Sequence, residues 1–451
     1  SYPGPIEYYH IDDVMIDIIV EPVPQPCPPR VEWTHTFGPI DYFMTFCPSP
    51  AVANIDRDTY LEIITGTDEW YGWQKWHCFD ATGAIQWTLP TGCDESRTSV
   101  AVGDIDLDGD LEFAGGCTSG WQTQVFSDTG NFVWKYQSTY YDWWHASPAI
   151  CDVNPQYAGR EVIAAEYFSG KVFCFSKTGA VIWTFQTNGK IDASPACADI
   201  DNDGVMEVVI GAFDQGNNPH YIYAINGVTG ALEWQHWIAQ PSTCCNRGVH
   251  SSAALADIDN DGIIEVIFGT NDGGVRCLTG TNGALEWVFW TRGSVYSSPA
   301  VGDVDNDGTL EIIVGSDDGK VYCLNGAGGL EWSYQTGGAV RSSAALARRG
   351  VGLAIYIGSM DKKLYCLDGS GNLIWSFWTG ATNGISGSCA VADIDGDNKL
   401  EVMFTDWNAI PDSWVTTNIF WVLEDCTSWC PQYAIEWGMF RSNRCHTGVY
   451  K

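Results

Sequence analysis

Short apolar runs that alternate with polar residues recur along almost the whole chain. The runs are rich in Val, Ile, Tyr and Trp, and they end at clusters of Gly, Asp and Asn. That combination is typical of short antiparallel strands joined by turns. No segment of useful length shows helical periodicity. The pattern therefore predicts an all-β protein.

One phrase, "SPAVGDVDNDGTLEIIVG" at residues 298–315, recurs in recognisable form eight times. Its equivalent positions are 54, 104, 152, 199, 257, 303, 347 and 393, so the steps are 50, 48, 47, 58, 46, 44 and 46 residues. Each phrase is followed by a turn, an alternating run and a strand with a central Trp, and "IEWGM" is the last such strand. Repeated four-strand units of about 40–50 residues are typical of a β-propeller. The sequence predicts an eight-bladed β-propeller with four-stranded blades, or seven blades if a terminal unit is incomplete.

These repeats resemble the quinoprotein-type (PQQ-like) and FG-GAP-type propeller repeats over residues 31–451, and "EWGMFRSNRCHTG" resembles a terminal phrase of such propellers. The resemblance implies the fold and leaves the function open, because propellers host many functions. One implied activity is that of a quinoprotein dehydrogenase, since those enzymes can carry an adjacent-cysteine disulfide and Cys244–Cys245 is such a pair. The chain is short for those enzymes and has no C-x-x-C-H haem motif. We therefore expect a non-enzymatic protein.

Acidic residues occupy positions 1, 3, 5 and 9 of the loop inside the repeated phrase, and a Gly stands at the sharp turn. Ca²⁺ takes about six to eight oxygen ligands, whereas Mg²⁺ demands stricter octahedral geometry. We expect several structural Ca²⁺ sites; the alternative is a set of solvated Asx turns without metal. The predicted ligands are Asp104, Asp106, Asp108, Glu112, Asp199, Asp201, Asp203, Glu207, Asp257, Asp259, Asp261, Glu265, Asp303, Asp305, Asp307, Glu311, Asp393, Asp395, Asp397 and Glu401, with a weaker set at Asn54, Asp56, Asp58 and Glu62.

Besides the weaker set that begins at Asn54, three loops depart from the consensus. The last acidic loop has Asn398 where Gly is usual, which Asn tolerates in a left-handed turn. The third unit, "DVNPQYAGRE", lacks the third Asp. The seventh, "ARRGVGLA", has no ligands, and Arg348 and Arg349 stand where a cation would lie. We expect no metal in that loop.

The charge of the chain favours cations as partners. There are 56 acidic and 22 basic residues, a formal net charge of −34, which would repel nucleic acid and anionic lipids. No apolar run approaches the length of a membrane-spanning helix. The sequence begins at Ser1 without a signal-like segment, as expected of a processed or trimmed chain.

Seventeen cysteines point to an oxidising compartment, so we expect an extracellular or cell-surface protein. Cys174, Cys277, Cys323 and Cys366 recur at one repeat position, where a small buried hydrophobe is the simplest interpretation. The disulfide candidates lie off the repeat, at Cys27, Cys47, Cys93, Cys117, Cys426, Cys430 and Cys445.

A ring of variable residues is predicted at the mouth of the central channel. The position just before each "S-P-A" phrase reads Cys47, Arg97, His145, Asp192, His250, Tyr296, Arg341 and Ser386. The first strand of every blade should line the channel, so these residues should encircle it. Either they form a ligand ring, with Arg97, His145, Asp192, His250, Tyr296 and Arg341 as its binding residues, or they surround a water-filled channel. Surface aromatics favour a glycan or protein as such a ligand.

Residues 1–30 lie outside the repeat as an N-terminal arm, and residues 31–451 form the propeller. Within the arm, "VMIDIIVEPVP" has strand-like composition and "EPVPQPCPP" is a semi-rigid spacer. The strand either adds to a blade of its own propeller or adds to a neighbouring copy. Head-to-tail donation would build a filament. "VEWTHTF" at residues 31–37 is a ninth Trp strand, which either closes the ring against the last blade or shares that role with "IEWGMF".

Taken together, these patterns predict a non-enzymatic, calcium-stabilised extracellular propeller that assembles with copies of itself through residues 1–30. A monomeric ligand- or glycan-binding propeller is the alternative, and a quinoprotein dehydrogenase comes third.

Overall fold

The structure is a computed structural model. It describes residues 8–11, 14–17, 28–38, 40–41, 48–67, 75–90, 92, 98–117, 120–138, 142–214, 220–238, 247–349, 352–409, 415–425 and 435–437. Every regular element in these ranges is a β-strand. None of the described residues belongs to a helix capable of spanning a membrane.

Eight antiparallel sheets form the blades of a propeller, so the all-β, eight-bladed prediction is confirmed and the seven-bladed alternative is wrong. In blades 1 to 4 the strands, from the channel outward, are Ala51–Ala53, Glu62–Thr67, Lys75–Phe79 and Ile85–Pro90; Ala101–Gly103, Glu112–Cys117, Gln122–Phe126 and Phe132–Gln137; Ala149–Cys151, Glu161–Ala165, Lys171–Phe175 and Val181–Gln186; and Ala196–Ala198, Glu207–Gly211, His220–Asn226 and Leu232–Ile238. Beside blade 4, Phe213–Asp214 pairs with Arg247–Gly248.

Blades 5 to 8 follow the same plan, with one exception in the last. Their strands are Ala254–Ala256, Glu265–Gly269, Gly274–Thr279 and Leu285–Trp290; Ala300–Gly302, Glu311–Gly315, Lys320–Asn325 and Leu330–Gln335; Ala345–Arg349, Gly352–Ser359, Lys363–Leu367 and Leu373–Trp378; and Ala390–Ala392, Leu400–Ala409, Val415–Asp425 and, from the start of the chain, Arg30–Thr36. Ile40–Asp41 also pairs with Val415–Asp425.

The packing explains the sequence pattern of each strand. First strands are short and rich in Ala, and apart from Arg348 and Arg349 at the end of the seventh they are fully buried, because the eight blades converge on the axis and favour small side chains. Second and third strands are mostly apolar on both faces, since each is covered by the neighbouring blades. Fourth strands alternate exposed and buried residues, because one edge and part of one face meet solvent.

The ring is closed by the N-terminal side of the chain. Arg30–Thr36 pairs antiparallel with Val415–Asp425 and supplies the fourth strand of blade 8. The prediction that "IEWGM" is the eighth Trp strand is therefore wrong. Ile435–Trp437 pairs instead with the channel-lining first strand of blade 7, where Trp437 lies opposite Leu346. The third strand of blade 8 has a free outer edge, and Arg30–Thr36, which belongs to no other blade, pairs with that edge.

A closed ring of serine hydrogen bonds links the first strands. In each repeat the backbone N–H of one serine donates to the Oγ of the serine in the next blade, over 2.9–3.1 Å. The serines are Ser49, Ser99, Ser147, Ser194, Ser252, Ser298, Ser343 and Ser388, and the last donates back to the first. All eight are buried, so the ring joins the blades around the axis where water cannot compete.

The tryptophan of each fourth strand joins its blade to the next one. In seven blades the indole Nε1–H donates to a carbonyl in the turn between the third and fourth strands of the following blade, as Trp183 does to Gly227 O at 2.7 Å. Trp375 of blade 7 finds no acceptor for its Nε1 among the described residues. The reason is the ring closure, because in blade 8 the third and fourth strands are not consecutive in the chain.

The repeat-position cysteines Cys174, Cys277, Cys323 and Cys366 are free and buried, which confirms their interpretation as small core residues. Burial raises the pKa of each thiol. Of the predicted disulfide cysteines, only Cys117 lies within the described residues, where it is buried. Disulfide pairing stays a prediction for the remaining candidates, Cys27, Cys47, Cys93, Cys426, Cys430 and Cys445, which lie outside the described ranges.

The N-terminal arm contains a hairpin. Val14–Asp17 pairs antiparallel with Tyr8–Ile11 in a two-stranded sheet of its own. The strand expected in "VMIDIIVEPVP" thus takes its first pairing from the arm itself, which neither of the two predicted arrangements included. Most of the Pro-rich spacer lies outside the described residues.

Candidate functional site

The acidic loops are preorganised by their own backbone. In blade 6 the carboxylate of Asp303 accepts hydrogen bonds from the N–H groups of Asp307 and Gly308, and Asp305 accepts a second bond from Asp307 N–H. Asn306 and Gly308 have φ angles of 63° and 91°, the left-handed region that Asn and Gly tolerate. The turn therefore directs several carboxylates to one point.

The ninth-position Glu is buried beneath each loop. Oε2 of Glu311 accepts the N–H of Val304 at 2.9 Å, and the equivalent bond recurs in the other acidic loops. Burial raises the pKa of Glu207 to about 8, against a hydrogen bond from Ile200 N–H that lowers it. The negative charges of Glu233, Asp201 and Asp203 contribute to this raised pKa, so the site is unfavourable for an anion unless a cation accompanies it.

The residues fit a divalent cation. Among the described residues, carboxylate oxygens from three acidic residues lie within 4.8 Å of one another in the loops of blades 1, 2, 4, 5 and 6. Within the described part of the chain, no hydrogen-bond partner is found for three buried oxygens: Glu207 Oε1, Asp104 Oδ1 and Asn54 Oδ1. Such orphaned oxygens are costly without a partner, and a hard cation at the centre of the loop would provide one.

The departures from the loop consensus have structural counterparts. Asn398 adopts φ 66°, the left-handed turn predicted for it. In the same loop Lys399 Nζ lies 2.8 Å from Asp397 Oδ2, so part of the negative charge is already neutralised by the chain. In the third unit Glu161 still accepts the N–H groups of Val153 and Asn154, which shows that this hydrogen-bonding role does not require the third Asp.

The seventh loop replaces the carboxylate cluster with an ion pair. Arg349 Nε lies 3.1 Å from Asp425 Oδ2, a fully buried carboxylate that also accepts the hydroxyl of Tyr356 at 2.8 Å. Arg349 is one of the two arginines predicted at the position of a cation, and here it forms an ion pair between blades 7 and 8.

The acidic loops and the predicted ligand ring lie on opposite faces of the disc. Every first strand runs from its ring residue to its acidic loop, so the two ends of that strand mark the two faces. The turns between second and third strands return to the face of the ring, which we call the mouth face. The metal-ligating and ligand-binding predictions therefore concern separate surfaces.

Three of the predicted ring residues meet at one point on the mouth face. His145 Nδ1 lies 3.2 Å from Asp192 Oδ1, and His250 Nδ1 lies 2.9 Å from Asp192 Oδ2. The side chains of His145 and His250 are 5% and 10% exposed, whereas Asp192 is 36% exposed. Burial would raise the pKa of Asp192, but hydrogen bonds from the two imidazoles outweigh it and lower the pKa, so the carboxylate is ionised at neutral pH.

The ring continues from blade 5 to blade 7. The His250 and Tyr296 rings lie 5.5 Å apart, and the Arg341 guanidinium lies 5.1 Å from the Tyr296 ring. Arg341 pairs with Asp317 through Nε and Nη2, at 2.8 and 3.0 Å. Arg97, the sixth predicted binding residue, lies outside the described ranges, as does Cys47.

Sequence reasoning missed the residues that flank this ring. Tyr167, Phe168, Phe213 and Asp317 all lie in the connections between second and third strands, and Lys190 lies two residues before Asp192. Those turns vary in sequence and stand on the mouth face, which was the available signal. The Phe213 ring lies 4.0 Å from His250, and the Tyr167 ring lies 4.2 Å from His145.

Comparisons with known proteins agree with this architecture. Residues 292–379 match the model of the lambda-carrageenase β-propeller domain, and residues 199–268 and 257–314 match that of the FG-GAP-like repeat. No curated protein matches the sequence.

Solved structures share the fold at low identity. BamB from Moraxella catarrhalis is 17% identical, with a TM-score of 0.54 over 86% of this chain and 100% of that one. Quinohemoprotein alcohol dehydrogenase from Comamonas testosteroni is 12% identical, with a TM-score of 0.63 over 89% and 77%. A europium-containing methanol dehydrogenase is 12% identical, with a TM-score of 0.55 over 86% and 93%. The chain is an eight-bladed β-propeller that carries FG-GAP-like repeats over residues 199–314, and it shares its fold with BamB and with the two dehydrogenase structures.

Proposed function

We propose that the protein is a calcium-stabilised extracellular propeller that acts by binding, including binding to copies of itself, and not by catalysis. The observation that carries the proposal is the repeated acidic loop, in which the backbone holds carboxylates together around buried oxygens, such as Glu207 Oε1, that have no hydrogen-bond partner among the residues the structure describes.

Calcium suits these loops because every donor is a hard oxygen and the ligands recur in a flexible turn. Each bound ion would remove two negative charges from a chain of net charge −34 and would join the loop to the strand below it. The role is structural, since the same arrangement is repeated in blade after blade.

The test is calcium titration of the chelated protein by calorimetry, comparing Glu207→Gln with Glu161→Gln. Both glutamates accept backbone N–H groups from their loops, but only Glu207 has the full set of aspartates above it. We expect the number of bound ions to fall by one in Glu207→Gln and to stay unchanged in Glu161→Gln. Absence of calcium binding by the wild-type protein would contradict the proposal, and so would equal loss in both variants.

Self-assembly would use the N-terminal arm. The fourth position of blade 8 is filled by Arg30–Thr36, so the residues before it are not needed to close the ring. A two-stranded hairpin such as Tyr8–Ile11 with Val14–Asp17 is marginal alone and gains from a third strand. Addition to an edge of a neighbouring copy would supply that strand, and repeated head-to-tail addition builds a filament. Folding back onto the same propeller is the competing arrangement.

Analytical ultracentrifugation tests the assembly step. We expect the full chain to sediment as a concentration-dependent series of large species, and a variant without residues 1–27 to sediment as a monomer. The shortened variant keeps Arg30, which pairs with Glu424 across the last blade. A full chain that is monomeric at every concentration would contradict self-assembly.

Calcium sites in solvent-exposed loops such as these support an extracellular location. Extracellular calcium-binding modules bind the ion with dissociation constants of about 10⁻⁴–10⁻³ M. Labelling of intact cells with a membrane-impermeant amine reagent tests it: we expect the native protein to be labelled, or recovered from the medium. Recovery only after lysis and without label would contradict it.

The non-enzymatic role is tested by dye reduction with added quinone cofactor, calcium and a panel of alcohols. We expect no reduction above the level without protein. Cys244–Cys245, the pair that motivated the dehydrogenase alternative, lies outside the described residues. Saturable alcohol-dependent reduction would establish that alternative instead.

A further inference from the structure

The mouth face carries a continuous arc of polar and aromatic groups that the calcium loops and the arm do not use. We call it the mouth arc, and it comprises Phe168, Lys190, Asp192, His250, Tyr296 and Arg341. Lys190 Nζ lies 4.9 Å from the Phe168 ring, and Lys190 stands two residues before Asp192 in the chain. His250 contacts both Asp192 and Tyr296, and the Arg341 guanidinium lies over the Tyr296 ring. The arc runs from blade 3 to blade 7 on a rigid scaffold.

The mouth arc carries charged groups of both signs. Lys190 and Arg341 are cations, while Asp192 and the Arg341 partner Asp317 are anions. A phosphate or sulfate near Lys190 would meet the ionised Asp192, and an ammonium near Asp192 would meet Lys190 and Arg341. The presence of both signs side by side disfavours ligands of either net charge and favours a ligand of hydroxyl groups, which can donate to a carboxylate and accept from a cation.

Asp192 is fixed in position and still able to bind. Each of its oxygens accepts one hydrogen bond, from His145 Nδ1 or His250 Nδ1, and a carboxylate oxygen can accept two. The imidazoles are themselves packed against aromatic rings, with Phe213 on His250 and Tyr167 on His145. The carboxylate thus offers two acceptor positions to the channel with no change of rotamer.

The remaining members complete the complement of a polar ring-shaped ligand. The Arg341–Asp317 pair uses Nε and Nη2 and leaves Nη1 to donate. Phe168 is 46% exposed, so it presents apolar ring surface at the edge of the arc. Aromatic surface beside a few converging polar groups is the usual lining of a small-molecule site.

We propose that the mouth arc binds a neutral sugar. Asp192 accepts hydrogen bonds from sugar hydroxyls, Arg341 and Lys190 donate to others, and Phe168 packs against the apolar face of the sugar ring. This binding is additional to the structural role of the calcium loops, which lie on the opposite face.

The test uses the full chain, saturated with calcium, on an array of immobilised glycans that are neutral, sulfated, uronate-containing or amino-substituted. We expect saturable binding confined to neutral glycans. On the same array, Asp192→Asn and Phe168→Ala should each weaken binding about tenfold or more. Asp192→Asn removes a charge-assisted hydrogen-bond acceptor, and Phe168→Ala removes the exposed stacking surface. Trp378→Ala is the matched control, since Trp378 is 65% exposed on the outer strand of blade 7 and lies outside the arc.

Three results would overturn the proposal: no neutral glycan bound, binding only to charged glycans, or equal weakening in Trp378→Ala. Phe168 is exposed, so its variant should fold even if Asp192→Asn does not. Filaments or calcium binding without glycan binding would refute the mouth arc alone, whereas glycan binding by a protein that never assembles would refute only the self-assembly.

Discussion

The serine ring makes a quantitative prediction about stability. In Ser298→Ala the Oγ that accepts the Ser252 N–H at 3.0 Å is lost, while the variant residue still donates its own N–H to Ser343 Oγ at 2.9 Å. Because Ser252 is buried, its N–H is left without an acceptor in a region closed to water. The cost of such a group is about 1–3 kcal/mol.

The assay is urea-induced unfolding followed by tryptophan fluorescence in excess calcium. We expect the free energy of unfolding of Ser298→Ala to fall by about 1–3 kcal/mol with little change in the urea dependence. Ser370→Ala, in an exposed turn of blade 7, should change stability by no more than about 0.5 kcal/mol. Ser99 lies in the blade opposite Ser298, so a Ser99→Ala/Ser298→Ala double variant should lose about the sum of the two single losses.

Equal stability of Ser298→Ala and Ser370→Ala would refute the reasoning, because it would mean that the ring bonds contribute no more than surface contacts. If the double variant lost much more stability than the sum of the two single losses, the ring would act as one cooperative unit.

Two further predictions follow from the blade contacts and the core. Trp183→Phe keeps the aromatic packing but loses the hydrogen bond to Gly227 O, whereas Trp375 has no acceptor for its Nε1–H among the described residues. The free energy of unfolding should therefore fall by about 0.5–1.5 kcal/mol more in Trp183→Phe than in Trp375→Phe. Urea unfolding of both variants checks this, and equal losses would contradict it. Iodoacetamide at pH 8.5 should label the repeat-position cysteines in urea but not in the folded protein. Burial raises the pKa of their thiols, and a raised thiol pKa means less reactive thiolate at any given pH. Peptide mass spectrometry identifies the labelled sites, and labelling without urea would contradict the prediction.

The repeat, the blade number and the acidic loops could be predicted because each is determined by residues that lie close together in the sequence. Every unit carries its own turn residues, its own alternating strands and its own Trp, so neighbouring copies reinforce one interpretation. The left-handed turn at Asn398 shows how far such local chemistry reaches, since the residue type alone indicated the conformation that the structure has.

Ring closure could not be predicted in the same way. "VEWTH" and "IEWGM" carry the same strand signal, and only the spatial meeting of the two chain ends decides which of them completes blade 8. The serine ring was visible as one residue type in one register of all eight phrases. Its meaning depends on the distance between blades, which a strand pattern does not contain. The flanking residues of the mouth arc, such as Lys190 and Asp317, come from turns whose common face emerges only when the blades are assembled.

The most direct test of the central claim, a calcium-stabilised propeller that assembles through its arm, is electron microscopy of three samples: the full chain with calcium, the full chain after chelation, and the variant without residues 1–27 with calcium. The account predicts filaments of discs in the first sample, loss of ordered discs in the second, and single intact eight-bladed rings in the third. Single rings in both calcium samples, unchanged by chelation, would contradict it.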